Sequence, residues 1–154
     1  MKVEICSRVT IEQWIKRGFP ERTGVISFFS PPKKGRTEEG RVKLEGVCDR
    51  VFYVRIPDID RDFLADCGYD YESYFSEADE LATFIYKVKE EGLDLICQCD
   101  YGQSRSAACA AAILQHFEGR GIDVFADYRY YPNQLVYHKV LDALKKAADE
   151  RTGG

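Results

Sequence analysis

A cysteine and an arginine near the middle of the chain have the residue types and spacing to attack a bound anion. The stretch ICQCDYGQSRSAACAAAI (96–113) places Cys99 six residues before Arg105. A thiolate is a strong nucleophile, and a guanidinium can grip two oxygens of a tetrahedral anion through its planar fork. Ser106 follows directly and can donate its hydroxyl to the thiolate. The chemistry that these types permit is nucleophilic attack on an anion held in place.

The surrounding residues predict a strand, a short turn and a helix. LDLICQC (93–99) reads as a buried strand, and 107–117 is strongly helical in composition. Such a turn points backbone N–H groups inward, and with the helix dipole these bind an oxyanion and favour a thiolate. Gly102 relieves the backbone where it must bend. The residues expected to bind substrate are Asp100, Tyr101, Gly102, Gln103, Ser104 and Arg105.

The rest of the chain alternates strands with helices. This order predicts an α/β fold with a central, mostly parallel twisted sheet flanked by helices, in a single domain spanning 1–154. Ligands usually sit at the carboxyl ends of such strands, where Cys99 falls. The further predicted strands are 2–6, 24–30 and 51–56. The further predicted helices are 10–17 capped by Thr10, 72–91 ending at Gly92, and about 133–148.

Composition limits the possible partners. The chain has 154 residues and a net charge of −4, which argues against nucleic acid. It has no apolar run long enough for a membrane span and no signal-like start, so a cytoplasmic location is expected. The basic run KKGR (33–36) is interpreted as a solvated loop tip; attraction of an anionic substrate is the alternative.

The six cysteines are expected to be reduced thiols. Cys97-x-Cys99 without a second pair is a poor zinc site, so no metal is expected. We interpret four cysteines as packing residues, and Cys48 or Cys67 as an alternative disulfide partner of Cys99 under oxidation. Those four are Cys48, Cys67, Cys97 and Cys109.

The motif and its context resemble a known family. CDYGQSRS resembles the C-x5-R-[ST] phosphate loop of the protein tyrosine phosphatase superfamily, particularly its small dual-specificity branch. YYPNQLVYHKVLDAL resembles the closing segment of these domains, where a Pro-Asn pair opens the last helix. The similarity covers about residues 47–148. It implies a cysteine-phosphatase fold and hydrolysis of phosphotyrosine, with phosphoserine and phosphothreonine as further substrates, and no cofactor.

The resemblance also implies roles. Cys99 becomes the nucleophile that forms a cysteinyl-phosphate, Arg105 the phosphate ligand, and Ser106 the residue that eases thiolate departure. FYVRIPDID is similar to the stretch that ends in the general acid. Matching I-P-x-x-D assigns that role to Asp60; Asp58 is the alternate and Asp62 a more distant one.

Two residues depart from the family pattern. Gln98 stands where the family usually has histidine, whose support of the loop a glutamine amide can partly replace. Asp100 places negative charge beside the nucleophile, which disfavours the thiolate and highly anionic substrates. The loop has no lysine, so phosphoinositides are disfavoured. The expected partner is a phosphorylated protein or a small phosphomonoester.

Two other functions remain open. A rhodanese-like sulfurtransferase also mounts a cysteine in an anion-binding loop of an α/β sheet. A phosphate-binding module without turnover would keep the nucleophile and lose the acid. Arg105 followed by Ser106, together with IPDID, favours the phosphatase over both.

Overall fold

Four parallel strands form the sheet, in the order β1-β4-β2-β3. The computed structural model of the protein describes residues 1–32 and 40–153, so the KKGR run lies outside the described residues. β2 is buried at every position, as expected for an inner strand covered on both faces. The predicted fold class is confirmed. The strands are β1 (Val3–Ser7), β2 (Thr23–Phe29), β3 (Arg50–Arg55) and β4 (Asp94–Cys99).

Helices cover both faces of the sheet. Alternate residues of β2 enter different clusters: Val25 packs with Ile11 of the first helix, whereas Ile26 and Phe28 pack with the later helices. Cys99 faces the larger cluster, on the side of the later helices. The helices are α1 (Arg8–Arg17), α2 (Ala78–Glu90), α3 (Arg105–Glu118), α4 (Ile122–Phe125) and α5 (Gln134–Thr152), with a 3-10 turn at Arg61–Phe63.

Two helix starts differ from their predicted positions. α1 begins at Arg8, and its cap is Ser7, whose Oγ accepts from the Thr10 backbone N–H at 3.2 Å; Thr10 is not the cap. α2 begins at Ala78 instead of residue 72. The reason is Phe75, whose φ of 58° is left-handed and cannot continue a helix. The apolar spacing of 72–77 therefore belongs to a folded turn.

Across residues 1–32 and 40–153, no helix combines the length and the apolar character needed to cross a bilayer. All six cysteines are free thiols. Cys67 is exposed, so its interpretation as a packing residue was wrong. It lies in the turns that follow the 3-10 segment, outside the core.

Candidate active site

The loop from Cys99 to Arg105 joins the end of β4 to the start of α3 and packs against the β1–α1 junction. Gly102 has φ 68°, and a Cβ there would lie 2.7 Å from the Cys6 carbonyl carbon and 2.8 Å from the Ser7 nitrogen. The Arg8 backbone N–H donates to the Asp100 carbonyl at 3.1 Å. Only glycine fits this close approach in this backbone conformation. The first strand and helix thus fix one side of the loop.

The thiol and the hydroxyl predicted to cooperate are adjacent. Cys99 is only 3% exposed, and its Sγ lies 3.1 Å from the Oγ of Ser106, which is fully buried. Since Ser106 lies in the first turn of α3, its hydroxyl is held at the floor of the loop. When the thiol is ionised, the hydroxyl donates to it, which stabilises the charge.

Arg105 is buried, at 4% exposed, and only part of its guanidinium is occupied. Nη1 donates to the Ile56 carbonyl at 2.7 Å and to Ser30 Oγ at 3.1 Å. Nη2 lies 3.4 Å from Asp100 Oδ2. Nε is buried and has no partner among the described residues. A buried donor without a partner is costly, about 1–3 kcal/mol, so this edge of the guanidinium is suited to receive an anion.

Asp58 is bonded to the loop by Ser104 and to the start of α5 by Asn133. Its Oδ1 accepts from Ser104 Oγ at 2.7 Å and from Asn133 Nδ2 at 2.8 Å. Asn133 Nδ2 also donates to the Ile59 carbonyl at 3.0 Å, while its Oδ1 caps α5 by accepting from Val136 N–H at 3.0 Å. One buried asparagine therefore connects the 58–60 segment, the loop and α5. The Pro-Asn pair marked it as a helix start, but its contacts with Asp58 and Ile59 are not readable from sequence.

Asp60 lies two residues further along the same segment and has a free side chain. It is exposed and precedes the 3-10 turn, where its carbonyl accepts from Phe63 N–H at 3.0 Å. Within the described part of the chain its carboxylate has no hydrogen bond or ion pair. Asp62 is also exposed and lies inside the turn.

The remaining loop residues differ in exposure. Tyr101 is 82% exposed, and Gln103 is exposed with its carbonyl accepting from Tyr131 N–H at 2.8 Å. Gln98 is buried, but its Oε1 accepts from Ser27 Oγ on β2. The Gln98 amide, predicted to replace part of the histidine's support of the loop, therefore connects β4 to β2.

Comparison with solved structures gives the fold class. DUSP15 superposes with a TM-score of 0.57 at 18% identity, over 98% of this chain and 92% of DUSP15. PTPMT1 in complex with PI(5)P gives 0.56 at 12% identity, over 98% and 95%. Human DUSP28 gives 0.52 at 16% identity, over 96% and 94%. No family model and no curated protein matches the chain.

The chain thus has the fold of small dual-specificity and tyrosine phosphatases, as the sequence resemblance implies. At these identities the likeness concerns the fold.

Proposed function

We propose that this protein hydrolyses phosphomonoesters, with phosphotyrosine in proteins as the principal substrate class and phosphoserine and phosphothreonine as further ones. The main support is the buried Nε of Arg105, which has no hydrogen-bond partner among the described residues. Arg105 ends the loop that Cys99 begins, and the next residue, Ser106, contacts the Cys99 sulfur at 3.1 Å. A buried charged donor at one end of a loop and a nucleophile at the other suit a tetrahedral anion that is both bound and attacked.

The first step is transfer of the phosphoryl group to sulfur. The Cys99 thiolate attacks phosphorus in line, an S–P bond forms and the P–O bond to the leaving group breaks. Arg105 and the loop amides stabilise the charge on the equatorial oxygens. Asp60, protonated, gives its proton to the leaving oxygen. The products are the free alcohol or phenol and a cysteinyl-phosphate.

The second step releases phosphate. Asp60, now a carboxylate, takes a proton from water as that water attacks phosphorus and the S–P bond breaks. Ser106 donates its hydroxyl to the departing thiolate, which lowers the cost of expelling it. The loop returns to its starting state with Cys99 ionised and Asp60 protonated.

The hydrogen bonds favour Asp60 over Asp58 as the acid. Asp58 Oδ1 accepts two hydrogen bonds, from Ser104 Oγ and Asn133 Nδ2, which hold its carboxylate in place. A general acid must instead hold a proton and be free to reach the leaving group. Asp60 has no competing partner among the described residues. We therefore assign proton transfer to Asp60 and positioning of the loop to Asp58.

A phosphoinositide is the second candidate substrate. PTPMT1, which shares the fold, was crystallised with PI(5)P, and this supports a small phosphomonoester as substrate. The loop here contains Asp100 and no lysine, so it offers little positive charge to an anionic headgroup. This favours phosphotyrosine as the first choice. The sulfurtransferase is less supported, because the similar folds are those of phosphatases.

Hydrolysis of p-nitrophenyl phosphate and of a phosphotyrosine peptide tests the proposal. Cys99→Ser is expected to lower kcat by at least about 10⁴-fold while retaining vanadate binding. Asp60→Asn should lower kcat about 100-fold on the peptide and less on the activated nitrophenyl ester. Cys67→Ser, at an exposed thiol, is the matched control and should keep full activity.

The variants also separate the alternatives. Full activity in Cys99→Ser contradicts the mechanism. If Asp58→Asn, and not Asp60→Asn, shows the leaving-group dependence, the acid assignment is wrong. Thiosulfate:cyanide transfer without phosphatase activity would favour the sulfurtransferase, and vanadate binding without any turnover would favour the binding module.

A further inference from the structure

We propose that the solvent-accessible residues at the loop, Asp100, Tyr101 and Tyr131, select phosphorylated protein segments that carry a lysine or arginine beside the phosphorylated residue. The inference rests on the proposed function, since it specifies the substrate class of the same site. Its basis is the position of Asp100, together with two exposed tyrosines at the loop and the pairing of two nearby arginines.

Asp100 contacts a part of the Arg105 guanidinium that the substrate phosphate would also bind. Its Oδ2 lies 3.4 Å from Arg105 Nη2, and its side chain is 38% exposed, so it reaches both the arginine and the solvent. Asp58 adds a second carboxylate through its bond to Ser104 Oγ. With the Cys99 thiolate included, formal negative charges outnumber the positive charge of Arg105. A phosphate dianion therefore enters a loop that is already short of positive charge.

A cation supplied by the substrate resolves this deficit through an exchange of partners. A substrate lysine or arginine pairs with the exposed edge of Asp100, which weakens the hold of that carboxylate on Arg105 Nη2. The phosphate then takes Nη2 together with the unpartnered Nε in a bidentate contact. Binding of the cation and binding of the phosphate thus favour each other.

Among the described residues, two arginines that contact the loop or lie close in sequence to a residue that does so do not replace that cation. Arg8, whose backbone N–H bonds to the loop, pairs with Glu12 at 2.9 Å. Arg129 pairs with Asp127 at 2.7 Å. Both guanidinium groups already have carboxylate partners, so neither is placed to offset Asp100.

Two exposed aromatic rings suit a basic side chain. Tyr101, within the loop, is 82% exposed, and Tyr131, whose N–H bonds to the Gln103 carbonyl, is 73% exposed. Aromatic faces attract ammonium and guanidinium groups, and they also pack against the aliphatic part of these side chains. Tyrosines beside a carboxylate therefore favour a basic segment over an acidic one.

Matched phosphopeptides test the proposal. Two phosphotyrosine peptides are compared that differ only in having lysine or glutamate on both sides of the phosphotyrosine. The lysine peptide is expected to have the higher kcat/KM by about fivefold at low salt, the range of exposed ion pairs. The ratio should approach one at about 1 M salt, where such pairs are screened. p-Nitrophenyl phosphate, which has no flanking residues, reports hydrolysis itself.

The Asp100→Asn variant tests whether Asp100 causes the preference for the lysine peptide. This variant should reduce the peptide ratio to about twofold or less and lower KM for p-nitrophenyl phosphate, because Nη2 becomes available. Glu118→Gln removes an exposed carboxylate at the far end of α3, about 20 Å away along the helix, and should keep the ratio.

The outcomes are distinct. No hydrolysis of any phosphomonoester overturns the proposed function. Hydrolysis with equal rates on both peptides, or a faster glutamate peptide, overturns only the substrate preference. A preference that persists unchanged in Asp100→Asn overturns the role given to Asp100.

Discussion

At the residue scale, the contact between Ser106 and Cys99 concerns both halves of the proposed reaction. The hydroxyl lies 3.1 Å from the sulfur, and both residues are shielded from water. Because water cannot replace the hydroxyl there, its hydrogen bond to the thiolate is strong. The thiolate is the nucleophile in the first step and the leaving group in the second. In the second step no acid protonates it, so the second step depends more on Ser106.

Ser106→Ala is therefore expected to slow breakdown of the cysteinyl-phosphate. Loss of a hydrogen bond to a charged group costs about 1.5–3 kcal/mol, or about 10- to 100-fold in rate. Stopped-flow measurement with p-nitrophenyl phosphate should show a burst of nitrophenol approaching one per enzyme, followed by slow turnover. Ser76→Ala, at an exposed serine, should show wild-type kinetics. A low steady-state rate without a burst would mean that Ser106 acts mainly in the first step.

The residues proposed to perform chemistry lie close together in sequence, whereas the residues that contact and position them do not. Cys99, Arg105 and Ser106 follow one another in a short segment, so their proximity is set by local backbone geometry. The contacts of Asp58 with Asn133, and of Arg105 with Ile56, join segments far apart in sequence. Such contacts depend on how whole elements pack, which no local pattern encodes.

At the element scale, the close approach of the loop to the β1–α1 junction makes Gly102 a sensitive position. Gly102→Ala would bring a Cβ within 2.7–2.9 Å of backbone atoms of Cys6 and Ser7, so the loop must move. A displacement of about 1 Å of catalytic groups can cost about 100-fold in rate. We expect kcat/KM for p-nitrophenyl phosphate to fall by about that factor.

Gly119→Ala is the matched control for Gly102→Ala. Gly119 has the same φ of 68°, but a Cβ there meets nothing within 4 Å. This variant bears only the left-handed strain, about 1–2 kcal/mol, seen as a lower Tm with unchanged kcat/KM. Equal activity of the two variants would contradict the view that packing against β1 positions the loop.

Periodicity predicted the regular elements well and failed where the chain turns on itself. The strands 24–30 and 51–56 match β2 and β3 to within a residue at each end. The predicted helix 72–91 was too long, because Tyr74 and Phe75 are buried in a turn, with the Tyr74 hydroxyl donating to the Pro57 carbonyl at 2.8 Å. Burial by a turn and burial by a helix face look the same in sequence. The short α4 has too few residues to show a period.

At the scale of the whole molecule, thiols buried on both faces of the sheet make the stability of the folded protein depend on pH in the alkaline range. Burial raises the pKa of Cys6 from 9.0 to about 12 and that of Cys48 to about 11. The pKa of Cys97 is also raised, chiefly by its hydrogen bond with Cys109 and next by its burial. These thiols keep their protons in the folded protein at a pH where the unfolded chain loses them. The folded state then binds more protons, so stability falls as pH rises above about 9.

Cys6→Ala isolates one part of this dependence. Between about pH 7 and pH 10 the wild type should lose about 1 kcal/mol of unfolding free energy through Cys6, and the variant should lose that much less. Urea unfolding at both pH values measures the difference. The variant's lower stability at neutral pH, caused by the lost packing, cancels in the comparison of slopes. Cys67→Ala, at an exposed thiol, should keep the wild-type slope. If Cys6→Ala and the wild type lose equal stability between the two pH values, Cys6 ionises as readily in the folded protein as in the unfolded chain.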